Sequence, residues 1–100
     1  MQASVVQIRG RVLAPAPLLP SWWWFRHLID LGDEEADAGR AVLAAAWYEL
    51  ACSWAPPLTA ATQSVFEAFV ARAKLADDAE IRARRFRAAC AVATTGHTDA

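Results

Sequence analysis

Few side chains in this chain of 100 residues have types and spacings that could do chemistry. Of its two histidines, His27 and His97, neither sits at the Cys/His or carboxylate spacing that holds a metal, and neither belongs to a nucleophile motif. Cys52 and Cys90 stand 38 residues apart without a CxxC pattern, so they are read as two small core residues kept reduced rather than as a structural disulfide. The four glycines are scattered, which excludes a phosphate-cradling loop. A Cys52–His27 pairing in space would join two residues of common type and is no motif by itself. The sequence is therefore read as that of a non-enzyme with no cofactor and no bound metal.

Three charged groups are weighed as sites. Glu34, Glu35 and Asp37 follow Asp33, and crowding of carboxylates where a helix begins is what the helix dipole favours, so they are read as structural rather than catalytic. Glu49 is the only charge between Ala41 and Phe66. If its face is covered, its carboxylate needs a cation, and an arginine of the last helix is the expected partner. The stretch "RARRFR" places Arg82, Arg84, Arg85 and Arg87 within two turns. With Arg9 and Arg11 these could grip phosphates. Asp78 and Glu80 stand four residues ahead of Arg82 and Arg84 and are expected to neutralise them in part as intrahelical pairs.

The remaining candidate is aromatic. In "PSWWWFRHLIDLG" a helical turn of about 100° per residue puts Trp22, Phe25 and Ile29 on one side, and Trp24, Leu28 and Leu31 extend the same apolar arc. Trp23 is left on the opposite face with Arg26, His27 and Asp30. A tryptophan buries on the order of 150–250 Å², so an outward Trp23 needs cover. The cover is either local, from Arg26, His27 or the N-terminal arm, or it is a partner for which Trp23 and Arg26 act as anchors.

The elements that must position these groups follow from periodicity. Residues 4–13 alternate, with Val6, Ile8, Gly10 and Val12 on one side, and are read as a single strand; its unpaired backbone would lie along a helix, pair with its copy or add to a partner's sheet. "APAPLLP" is an extended connector. Ser21 caps a short helix over 22–31 that Gly32 closes, and Asp33 caps a second helix that runs to about Ala55 and stops at Pro56-Pro57. Leu43, Trp47, Leu50 and Trp54 form its seam. Thr59 caps a third helix over 60–76 with Val65, Phe66, Phe69, Val70 and Ala73 inward. Asp77 and Glu80 mark the start of a fourth over 78–93, although one bent helix over 60–93 is the alternative.

Bulk properties fit a compact helical chain: 56% hydrophobic residues, 21% charged and a net charge of −1. No overall field draws it to nucleic acid or an anionic membrane. The apolar run over 41–66 is alanine-rich and broken by two prolines, so it is read as a buried helix and not a span. No secretory signal is recognised, so a cytoplasmic location is expected, and the chain is read as a small protein of bacterial type. The expected fold is all-α, a small three- to four-helix bundle in one domain: arm and connector over 1–20, bundle over 21–95, tail over 96–100. The expected function is non-catalytic binding of a protein partner, or of itself as a homo-oligomer, through the arm and Trp22, Trp23, Arg26, His27 and Asp30. The alternative is a nucleic-acid-associated subunit using the arginines.

Overall fold

A computed structural model describes residues 22–96 in full, together with the backbone of two N-terminal strands. These strands are β1 (Val5–Ile8) and β2 (Arg11–Pro15), which pair antiparallel with Val5 opposite Pro15, Gln7 opposite Val12 and Ile8 opposite Arg11. The alternating segment is thus divided into two short strands rather than one long one. Its backbone groups find partners within the segment, which meets part of the hydrogen-bonding need that a lone strand would leave open. The expected docking of this arm, the connector and the tail after residue 96 lie outside the described residues.

Over residues 22–96 the chain is an all-α bundle of four helices: α1 (Trp22–Asp37), α2 (Ala41–Ser53), α3 (Ala60–Lys74) and α4 (Ala79–Gly96). Neighbouring elements pack in the order α1 on α2, α2 on α4 and α4 on α3. The core follows this order. Trp24, Phe25, Leu28, Ile29 and Leu31 of α1 meet Ala44, Ala45, Trp47, Tyr48 and Ala51 of α2, while Phe86, Ala89, Cys90 and Ala93 of α4 close the other side. Alanines dominate the α2 and α4 surfaces, so the helices approach closely enough to shut in Trp24, Trp47 and Phe86 completely.

The first helix is longer than periodicity suggested, because Gly32 does not end it. A side chain at position 32 would place its Cβ 2.4 Å from Cε1 of Tyr48, so the missing atoms are what let α2 lie against α1. The helix stops seven residues later at Gly39, whose φ of +78° is the left-handed geometry glycine adopts without strain. There the Arg40 N–H reaches the Glu35 carbonyl and the Gly39 N–H reaches that of Ala36. Consequently Glu34, Glu35 and Asp37 occupy the last turn of α1, not the first turn of α2. The dipole does not favour them there. Arg40 compensates by pairing with the buried Glu35, and that hydrogen bond and charge raise the Arg40 pKa above its ordinary value.

The later boundaries lie close to expectation. After α2 comes Pro56-Pro57, and the Thr59 hydroxyl accepts the Thr62 N–H at 3.3 Å to begin α3. Helices α3 and α4 are separate, and the cap of α4 is Asp78, whose Oδ1 accepts the Ile81 N–H at 3.0 Å, one residue beyond the position expected. On α2, Trp47 is wholly buried whereas Leu43, Leu50 and Trp54 are half-buried, since the helix is covered on two sides and not along one seam. On α3 only Phe66 and Ala73 are buried, while Val65 and Phe69 face outward. Among the described residues α3 packs chiefly on α4, so it shelters one narrow face.

Candidate interaction surface

Successive positions at the start of α1 point its aromatics in different directions, as the helical arithmetic requires. Trp24 and Phe25 are buried, Trp22 is 39% exposed with its ring 5.8 Å from that of Phe25, and Trp23 is 66% exposed. The His27 ring lies one turn on and stacks almost parallel to the Trp23 indole, with centroids 5.3 Å apart and planes at 6°. Arg26 does not cover the indole. Its Nε stands 3.5 Å from Oδ1 of Asp30, with both side chains about half exposed. An ion pair so solvated contributes little to stability, so its place beside the aromatic pair is not explained by folding. The surface is thus a wet face of two stacked rings flanked by one cation and one anion.

The arginines of α4 have different surroundings. Arg82 Nη2 reaches Glu49 Oε1 at 3.1 Å, and Nη1 donates to the carbonyls of Lys74 and Ala76 at 3.2 and 3.4 Å. Arg82 therefore fastens α4 to α2 and to the end of α3, and Glu49 has the fourth-helix partner expected for it. Arg85 donates to the Arg72 carbonyl at 3.3 Å. The Nε of Arg87 reaches Asp33 Oδ1 at 3.0 Å. Arg84 is exposed and borders a shallow hollow with Glu80 and Ala36. The Asp78–Arg82 side-chain pair expected within the helix gives way to these longer connections, because Asp78 caps and Arg82 turns inward.

Asp33, read from sequence as a helix cap, is instead an acceptor shared by two elements. It takes the Tyr48 hydroxyl at 2.5 Å as well as Arg87, and the guanidinium lies 5.9 Å from the centre of the Tyr48 ring. Burial first, and then the hydrogen bond to Asp33 and its charge, push the Tyr48 phenol above its ordinary range. For Arg87, burial is the largest influence and opposes the charge, but the hydrogen bond to Asp33 together with the charges of Asp33, Tyr48 and Cys90 outweighs it and the pKa rises. These groups share no sequence spacing, and nothing in the chain marked them as a unit.

A cleft of about 400 Å³ opens between α2 and α3, both of which pack on α4. Phe66, Val70 and Phe86 line it with Cys52, and Glu49, Glu67 and Lys74 stand at its rim. Behind the wall of the cleft Cys52 meets Cys90, while His27 stacks on Trp23, so the structure gives Cys52 a partner other than the His27 considered as its base. Among the described residues no three His, Cys, Asp or Glu side chains gather as a metal set. No described helix is long and apolar enough to cross a membrane.

Over the described residues, fold and surface together define a small four-helix bundle with an outward aromatic face on α1. Comparison with family models, with curated proteins and with solved structures finds no match to this chain.

Proposed function

We propose that this chain is a non-catalytic interaction module of bacterial, cytoplasmic type that binds a protein partner or a second copy of itself through the outward face of α1. The N-terminal arm, which precedes α1 in the sequence, is included in this proposal as a second binding segment. The observation that carries the proposal is Trp23, a large indole left 66% exposed beside half-buried His27 and the Arg26–Asp30 pair. Tryptophan and arginine dominate the energetics of protein interfaces, where a central aromatic anchor is ringed by polar groups. The bundle does not need this indole for its core, since Trp24 and Phe25 fill the space beneath. A nucleic-acid role has less support, because three of the four arginines bind carbonyls or carboxylates of the bundle.

Sedimentation velocity over a range of concentrations tests self-association directly. A photo-crosslinking amino acid at position 23, with a second at Glu80 as control, tests for a different partner in native lysate. The expected result is either a dimer that Trp23→Ala dissociates or a discrete adduct at position 23 that unlabelled protein competes away. Added salt should hardly alter it, whereas phosphate contacts would weaken steeply. A monomer with no discrete adduct, or binding abolished by replacing Arg82, Arg84, Arg85 and Arg87 with Trp23→Ala unaffected, rejects the proposal.

A further inference from the structure

The sulfur atoms of Cys52 and Cys90, on α2 and α4, lie 3.7 Å apart, and both thiols are free. Their surroundings are unequal. Cys90 is completely buried in the core, with its Sγ 3.6 Å from the Tyr48 carbonyl oxygen. Cys52 is half-buried and forms part of the wall of the cleft, a space of about 400 Å³ with charged groups at its rim. A small polar molecule entering there meets Cys52 as part of the wall, whereas Cys90 is not among the lining residues. The Cys90 thiol keeps its proton, because the hydrogen bond with Cys52 and burial both raise its pKa. Closing the gap to the ~2.0 Å of a disulfide bond requires a sulfur displacement within reach of a side-chain rotation.

We propose that Cys52 and Cys90 form a reversible oxidation site for hydroperoxides, in which Cys52 is the thiol attacked from the cleft and Cys90 the thiol that resolves it. In the first step the Cys52 thiol loses its proton to solvent and its sulfur attacks the peroxide. The O–O bond breaks, the terminal oxygen passes to sulfur as a sulfenic acid, and the alcohol or water leaves with the proton. In the second step the Cys90 sulfur attacks the sulfenic sulfur, the S–S bond forms, and the hydroxyl leaves with the Cys90 proton as water. Overall, two thiols and one hydroperoxide give one disulfide, one alcohol and one water, so the peroxide gains the two electrons that the thiols lose. The product joins α2 to α4, the two central layers of the bundle. This site lies on different elements from the α1 face and does not depend on its role.

Hydrogen peroxide added to the reduced, desalted chain is the probe, read by intact mass, by thiol titration after denaturation and by non-reducing peptide mapping. The expected result is loss of both thiols with a cross-link between the Cys52 and Cys90 peptides of one chain, reversed by dithiothreitol. In C90S, or in C90A if the serine variant loses helical circular dichroism, a dimedone-trapped sulfenic acid accumulates at Cys52. In C52S, Cys90 stays unmodified over the same interval. Retention of both thiols in the wild type, cross-links only between chains, or C52S reacting as fast as the wild type would each overturn the proposal.

Discussion

Gly32 lies in the interior of α1 with the ring of Tyr48 pressed where a side chain would stand, 2.4 Å from the Cβ position at its nearest atom. Two effects of opposite sign therefore meet in Gly32→Ala. Alanine is the better helix former by about 1 kcal/mol, and the added methyl must push the ring away, an overpacking that costs about 1–3 kcal/mol. The ring cannot retreat freely, because its hydroxyl is tied to Asp33 and the residue is buried. Gly32→Ala is accordingly expected to lower stability by about 1 kcal/mol, seen as a lower urea midpoint with unchanged slope. A rise in stability would show that the ring moves without resistance. The same position explains one limit of sequence reading. Glycine after an apolar helical run has the form of a stop, and only the approach of Tyr48 from another helix turns it into a packing residue. Trp23, by contrast, was legible as outward, since its direction depends on nothing but the turn per residue and the residues beside it.

Elements are held in register by side chains that cross from one helix to the next, and Asp33 is the point where α1 gains both α2 and α4. Removing its carboxylate by Asp33→Ala leaves the Tyr48 hydroxyl inside the bundle without its acceptor, while Arg87, about one-third exposed, keeps access to water. The unsatisfied hydroxyl dominates, and a loss of about 2 kcal/mol is expected. Asp33→Asn retains an acceptor for Tyr48 and should recover part of it, a difference that chemical denaturation of the two variants measures. If alanine and asparagine are equally mild, the carboxylate is a surface group and not a connector. Crossings of this kind were only partly legible. Glu49 in an uncharged run requires a cation wherever it is covered, which led to an arginine of the fourth helix; the structure shows it to be Arg82. Asp33 offered no such clue, because acidic residues near a glycine fit a helix start equally well. Nor does periodicity reveal which helix lies at the edge, and so Val65 and Phe69 of α3 were placed inward although the layer order leaves them exposed.

For the molecule as a whole, the meeting of α1, α2 and α4 places two weakly acidic groups where their charged forms are unwelcome. Tyr48 is the chain's single tyrosine, and its phenol is held above its ordinary value of 10.0 by burial and by Asp33. The Cys90 thiol is held above its ordinary 9.0 by the hydrogen bond with Cys52 and by burial. In both cases the fold retains a proton that the unfolded chain gives up. The associated stability is fully present below about pH 9 and is lost as pH rises past the unfolded values, by about 1.4 kcal/mol per pH unit for each group once its unfolded form is ionised. Unfolding in alkali, followed under reducing conditions, should therefore precede rather than follow ionisation of Tyr48. Tyrosinate absorbance should stay low through pH 10 and then rise together with the loss of helical circular dichroism. Tyr48→Phe loses its hydrogen bond to Asp33 and begins less stable, yet its stability should decline less steeply with pH above 10 because one of the two proton-binding groups is gone. Tyrosinate appearing near pH 10 in a chain that keeps its helices would mean that the phenol reaches water, and that α1, α2 and α4 do not close around it as a single core.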